Sequence, residues 1–528
     1  MLQVSWALVS DAQLTKMTKV TNNQPKEINT MKKLITVLAL VFFATSLKAQ
    51  VEDPSFDNYK KTTEADFKKY SDSVSQEFLG FRQKANEEYA QFMREQWKAF
   101  AAMQEEQRPT IPGPPRPFER DKNTPIPDLP IRIPVQPFLI PEPSPIIPIK
   151  LPDTPTPSPF PVVKEFSFLC YGTPCTVRVG NGLKFKLDNN SENSVADAWE
   201  QLSSETNEIL LEDCLRLRKE LSLGDWAYYC LLRDLGDSYF GNNTDESKIM
   251  QAYLLAQSGF DFRIARQNEH LLLLMPFDSD ILSWEKSPQY VTRYIPIDGR
   301  KYYIVSKSVG GSTHVFNHKF CDNNRVFSLR MSCPPKFAYK STEIKTFASA
   351  RYPELNVKLA TNKNLIDFYN EYPSCYWDNY AWAGLSDDVK SKLYPVLRSN
   401  IKGKSQIEAA NRLINFVQTA FEYKTDGGQF GYERSLFGDE TFYYPFSDCE
   451  DRSILFSILV RDLLGLDVVL LHYHDHLATA VHYTEKLCGY YFTLDGKDYY
   501  ISDPTYIGAN VGECMPGYET ESPEIFKL

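Results

Sequence analysis

The sequence predicts an α+β protein made of two tandem copies of one helix–strand–strand module, and three observations carry that prediction. Residues 453–464 place Ile454, Ile458, Leu459 and Leu463 at helical spacing, Gly465 closes the run, and three short strand-like segments follow at 466–471, 477–483 and 499–501. An upstream stretch lies on this one without a gap: Gly259-Phe260-Asp261 falls on Gly465-Leu466-Asp467 and His270-Leu271-Leu272 on His476-Leu477-Ala478, where 465−259 and 476−270 both give 206. Further on, Asp298-Gly299-Arg300-Lys301-Tyr302-Tyr303-Ile304 matches Asp495-Gly496-Lys497-Asp498-Tyr499-Tyr500-Ile501, where 495−298 gives 197. Repeats of this length imply two related domains, placed at 163–325 and 345–528.

The chemistry is concentrated in the second copy. Cys449, in Ser447-Asp448-Cys449-Glu450-Asp451-Arg452-Ser453, immediately precedes the apolar helix. A thiol in the first helical turn sees unpaired backbone N–H groups and the positive end of the helix dipole, both of which favour a thiolate. His476 opens the second strand, and Asp503, in Ser502-Asp503-Pro504-Thr505, follows the third, so neighbouring antiparallel strands bring the two together. An imidazole beside the sulfur takes its proton and returns it to a leaving group, while a carboxylate orients the ring. A cysteine beside a buried helix is ordinarily a packing residue and an aspartate before proline a turn former. The flanking Asp448, Glu450 and Asp451 argue against a sealed apolar site for this thiol.

Over roughly residues 407–503 this arrangement resembles the transglutaminase-like superfamily, a papain-related group of thiol hydrolases and acyl transferases. The resemblance rests on Asp448-Cys449 before the helix, Gly465-Leu466 closing it, His476 before a small-residue strand and Asp503-Pro504-Thr505 after an aromatic one. It implies two tandem transglutaminase-like (papain-like) domains, with Cys449 as nucleophile, His476 as base then acid, and Asp503 holding the ring. The superfamily often carries an aromatic soon after the histidine, where this chain has Leu477-Ala478-Thr479. In the first copy, 449−206 lands on Asn243 and 503−197 on Ser306, so that copy keeps only its histidine, His270. An amide cannot replace a thiolate, and the first copy therefore reads as a non-catalytic domain that binds substrate or braces its partner.

Around the nucleophile, residues 407–421 predict a helix with Ala410, Leu413, Ile414, Val417 and Phe421 on its apolar face. Residues 183–187 and 355–359 alternate as strands do, each ahead of a helical region. Glycines and aromatics at 427–432 and 443–446 suit a groove for an extended chain. The Cys449 backbone N–H supplies one oxyanion donor, and Gln418, Gln429 and Tyr444 are the candidates for a second. His472, His474, His476 and His482 cluster, but no cysteine pair with ligand spacing lies nearby and alternate strand residues share one face, so no metal or cofactor is expected.

The 528 residues exceed one domain. The excess of 68 Asp+Glu over 58 Lys+Arg, with no basic stripe, argues against nonspecific nucleic-acid binding. Met31-Lys32-Lys33, an apolar core to Leu47 and then Lys48-Ala49-Gln50 read as a secretory signal over 31–50, with 1–30 an over-extended start. A periplasmic or secreted protein is expected, in which ten cysteines permit disulfides whose pairing spacing does not reveal. Residues 62–106 carry apolar positions at steps of 3, 4 and 4, as a long amphipathic helix does. Residues 107–162 hold 19 of the 34 prolines and read as an extended linker whose interleaved Ile and Leu lie partly against a domain surface. That tract also suits recruitment of an envelope protein partner with a polyproline groove.

The resulting expectation is an exported thiol enzyme acting on a peptide, protein or cell-wall amide. Hydrolysis is favoured over transfer because no amine site is legible. The competing reading is a non-catalytic envelope binding or scaffold protein whose two modules sit on a proline stalk; the sequence leaves oligomeric state open.

Overall fold

Two sheets of matching strand order, each with a helix delivered onto it, form the framework. The computed structural model describes residues 118–135 and 163–528, apart from 181–182, 204–207, 283–290, 292 and 308–310. The expected leader, the long helix at 62–106 and the rest of the proline tract lie outside the described residues. The described chain is mixed α+β, and no helix in it is long and apolar enough to cross a membrane.

From the proline tract, β1 (Phe118–Glu119) and β2 (Pro130–Arg132) are short strands. In the first half, β3 (Val163–Cys170) and β4 (Thr173–Gly180) form a hairpin. Four helices follow: α1 (Glu192–Leu202), α2 (Glu208–Glu220), α3 (Asp225–Phe240) and α4 (Asp245–Gln257). Then come β5 (Arg263–Gln267), β6 (His270–Pro276), β7 (Tyr294–Ile297), β8 (Arg300–Ile304) and β9 (Thr313–Val315), in a sheet of order β7-β8-β6-β5-β9. Residues 183–187, expected as a strand, are irregular although their burial alternates; no neighbouring strand supplies a ladder there.

The second half opens with the hairpin β10 (Lys345–Ala348) and β11 (Asn356–Leu359). The helices α5 (Lys363–Asn370), α6 (Trp377–Ala383), α7 (Asp387–Ile401) and α8 (Gln406–Thr419) lead to β12 (Glu422–Tyr423), α9 (Asp426–Gln429), α10 (Gly438–Tyr443) and β13 (Phe446–Ser447). Then α11 (Cys449–Leu464) begins, and Gly465 ends it in the left-handed region at φ 64°. The remaining strands are β14 (Val468–His472), β15 (Leu477–Val481), β16 (Gly489–Leu494), β17 (Lys497–Ile501), β18 (Tyr506–Ile507) and β19 (Glu524–Lys527). Their sheet runs β19-β14-β15-β17-β16-β2.

Leaving out β2, the second sheet repeats the order of the first, and its registers follow the sequence offsets. Adding 206 turns Arg263↔Leu274 into Val469↔Ala480, and adding 197 turns Tyr294↔Tyr303 into Tyr491↔Tyr500. The joining pair obeys both, since Leu274↔Ile304 becomes Ala480↔Ile501. A one-residue slip would invert every side chain, so this agreement reaches the choice of face.

β15 is buried along its whole length, with α11 on one face and Ala478 and Ala480 in an apolar cluster with Leu471, Phe492 and Ile501 on the other. A strand covered on both faces shows no polar alternation, which explains its run of small apolar residues. β1 pairs with β18 and β2 extends the sheet beside β16, while Ile133 is buried in the same cluster. Part of the proline tract is therefore structural cover for the second sheet. All ten cysteines are free.

Gly489, at φ 131°, is where β16 begins, and a Cβ there would sit 2.2 Å from the Gly512 carbonyl oxygen. Gly496, at φ 76°, has nothing within 4 Å. Gly496→Ala is expected to cost only the left-handed strain of about 1–2 kcal/mol, whereas Gly489→Ala adds a backbone collision and should cost about 3 kcal/mol or more. Denaturant midpoints of the two variants check this; equal losses would contradict the register at β16.

Candidate active site

The site forms where the first turn of α11 meets the entrance of β15. Asp448 caps the helix, its N–H bonded to Asp451 Oδ2 at 3.2 Å, and Asp451 Oδ1 accepts from Leu436 N–H at 2.8 Å. Arg452, fully buried, donates to the carbonyls of Gln418 and Phe421 at 3.2 and 2.9 Å, satisfying the C-terminal end of α8. Ser453 Oγ donates to the Leu477 carbonyl at 2.9 Å and so pins α11 to the strand that starts after His476.

His476 and Asp503 meet: His476 Nε2 lies 2.9 Å from Asp503 Oδ2, and both residues are buried. Asp503 is itself fixed, since Oδ1 accepts from the N–H groups of Thr505 at 2.8 Å and Tyr506 at 3.3 Å. The bond to Asp503 assigns the proton to Nε2 and leaves a lone pair on Nδ1, which has no partner among the described residues. The Leu477 N–H reaches the Cys449 sulfur, placing the thiol beside the residue that follows His476.

The electrostatics differ from the expectation of an activated thiolate. Burial, then the Glu450 and Asp448 carboxylates, push the Cys449 thiol well above its ordinary value, with the Leu477 N–H pulling the other way. Cys449 Sγ also donates to Glu450 Oε2 at 3.2 Å. The helix terminus favours negative charge by about 0.3–1 kcal/mol at exposed sites, whereas burial can move a pKa by several units. The resting thiol is therefore neutral, and the acids expected to keep the site open are themselves buried.

Asp426, Asp448 and Glu450 bring carboxylate oxygens within 4.8 Å of one another. Among the described residues these are the ones that could hold a metal, since three hard oxygen donors suit Ca²⁺ or Mg²⁺. Without a cation such a set shares protons, and burial followed by mutual repulsion does raise all three carboxyls.

The three side chains expected as second oxyanion donors are spent elsewhere. Gln418 Nε2 donates to the carbonyls of Asp503, Tyr506 and Ala509 at 3.2, 2.7 and 3.2 Å, and its Oε1 accepts from Gly508 N–H. Gln429 exchanges two bonds with the backbone of Phe446. Tyr444 Oη donates to Asn370 Oδ1 and accepts from Arg434. The Cys449 N–H remains, as a first-turn group with no intrahelical acceptor.

Two tyrosines were missed. Tyr423 Oη is buried and has no hydrogen-bond partner among the described residues; burial raises that phenol, which lies close enough to Cys449, Asp448 and Glu450 to be disfavoured further by negative charge on any of them. Its signal in the sequence was only its place at the end of the α8 region. Tyr518 packs against His476 with ring centroids 5.2 Å apart, donates to Asp475 at 2.8 Å, and lies near both Cys449 and Asp503. It sits 69 residues past Cys449 (518−449), where no local motif points to it.

With this geometry in view, no family model, curated protein or solved structure matches the chain.

Gln418→Leu should destabilise by on the order of 3 kcal/mol, because three buried carbonyls lose their donor; a denaturant midpoint within error of wild type would contradict this bracing role. Tyr518→Ala should speed alkylation of Cys449, followed by mass spectrometry, by roughly tenfold or more, since an aromatic cover is removed. An unchanged rate would show that the cover lies elsewhere.

Proposed function

We propose that the second half is a transglutaminase-like cysteine enzyme that cleaves an amide or peptide bond, and that the first half is its degenerate copy. The observation that carries this reading is the buried His476–Asp503 pair, with the free Nδ1 edge of the ring and the Cys449 sulfur both at the entrance of β15. Matching strand orders and registers support the tandem relation. The leader-like residues 31–50 support export.

In this mechanism the thiol turns from Glu450 Oε2, its partner at rest, to His476 Nδ1, which removes the proton as sulfur attacks the carbonyl carbon. Asp503 stabilises the imidazolium through Nε2–H, the Cys449 N–H and Tyr423 Oη donate to the oxyanion, and Nδ1–H then protonates the leaving amine. Water resolves the thioester by the reverse proton path. Because the resting thiol is neutral, proton transfer accompanies attack. Hydrolysis is preferred to transfer, as no acceptor-amine site is evident among the described residues.

A second reading is favoured by one observation. Cys449 is only 1% exposed and its thiol is held up by neighbouring acids, as suits a packing cysteine in a non-catalytic binding or scaffold module.

Turnover of a peptide and cell-wall fragment panel separates the two. Cys449→Ala should abolish product formation with thermal stability retained, and Asp503→Asn should lower kcat by roughly 10²–10⁴-fold through loss of the Nε2–H tautomer. Activity that survives Cys449→Ala would establish that this thiol is not the nucleophile.

A further inference from the structure

Three carboxylates from two segments of the second half converge at the first turn of α11. Asp426 opens α9, Asp448 caps α11, and Glu450 is the second residue of that helix. None of the three is more than 4% exposed, and one oxygen from each lies within 4.8 Å of the others. Oxygens bound to one Ca²⁺ at about 2.3–2.6 Å lie no more than about 5 Å apart, so a single ion can span this set.

The protein satisfies one oxygen of each carboxylate and leaves the other bare. Asp426 Oδ2 accepts from the Arg434 N–H at 2.6 Å, Asp448 Oδ2 from the Asp426 N–H at 3.2 Å, and Glu450 Oε2 from the Cys449 thiol at 3.2 Å. Asp426 Oδ1, Asp448 Oδ1 and Glu450 Oε1 are buried, and no donor among the described residues reaches them. The arginines on the same segments are committed elsewhere: Arg434 is paired with Glu440, and Arg452 donates to Ser447 Oγ and to the carbonyls of Gln418 and Phe421. Glu433 brings a fourth carboxylate within hydrogen-bond reach of Glu450, and it is only half-buried.

Buried charges are paired with an opposite charge or ligate a metal, and these three carboxylates have no ion-pair partner among the described residues. We propose that Asp426, Asp448 and Glu450, with Glu433 at the half-buried edge, form a Ca²⁺ site that ties α9 to the first turn of α11. Ca²⁺ suits them better than Mg²⁺. It accepts about six to eight oxygens in flexible geometry, bidentate carboxylates included, whereas Mg²⁺ demands a near-ideal octahedron and gives up its waters reluctantly. The assignment does not depend on Cys449 being a nucleophile.

Calorimetric titration of Ca²⁺ into the full chain, first stripped with EDTA, tests it. One saturable site is expected, weakened roughly tenfold or more by Asp426→Asn and roughly threefold or more by Glu433→Gln. Glu343→Gln, which removes an exposed acid elsewhere, should leave binding unchanged. Asparagine at 426 still accepts from the Arg434 N–H, so folding is retained, which circular dichroism checks. The melting temperature is a second readout: Ca²⁺ should raise it for the wild-type chain and leave that of Asp426→Asn unmoved. Mg²⁺ should bind at least about tenfold more weakly than Ca²⁺. The proposal is overturned if Ca²⁺ neither binds nor shifts the melting temperature, which would mean that the carboxyls share protons only. It is equally overturned if Asp426→Asn binds Ca²⁺ as tightly as wild type, or if Mg²⁺ binds as tightly as Ca²⁺. None of these measurements involves turnover, so a failure here is distinct from a failure of the catalytic reading.

Discussion

The hydrogen bond between His476 and Asp503 is the constraint around which the second half is organised. Asp503 is tied to the turn after β17 by two backbone N–H groups, to α8 by Gln418, and to the entrance of β15 by the imidazole. A buried carboxylate without such partners would carry a desolvation cost of several kcal/mol. Here each oxygen is engaged, so the pair holds three elements in register. Ser453 adds the fourth by fastening α11 to the same strand end.

That closure has a consequence for the thiol. The same packing that fixes the ring removes water from Cys449 and leaves it among Glu450, Asp448 and Asp426. The site consequently keeps the sulfur protonated. Nδ1 of His476 has no hydrogen-bond partner among the described residues, and Tyr473 and Tyr518 both pack on its ring. Reactivity of a thiol so buried depends on opening of the packing over it as much as on the helix dipole.

Much of this was legible in the sequence, for physical reasons that can be named. The helix at α11 declares itself by spacing and a terminal glycine, and the offsets 206 and 197 are also the offsets between ladder registers, because register is written in the apolar pattern. Other features were not legible. β16 and β19 complete the second sheet, but half-exposed tyrosines and a late four-residue strand give no strong local signal. Gln418 looked like a free amide near a nucleophile; only the fold reveals that it must cap three carbonyls of a distant loop. The acids beside Cys449 argued against a sealed site, whereas Asp448, Glu450 and Asp451 are all buried and the Asp426 N–H donates to Asp448 Oδ2. Burial of charge is set by tertiary packing, to which residue type is a poor guide.

The central claim is that Asp503 sets the tautomer and direction of a buried imidazole. Nitrogen-15 NMR of the histidine-labelled protein reads it directly. The account predicts that His476, when neutral, carries its proton on Nε2 and a bare lone pair on Nδ1, and that Asp503→Asn abolishes this preference. A ring found with its proton on Nδ1, or one indifferent to loss of the carboxylate, would contradict it.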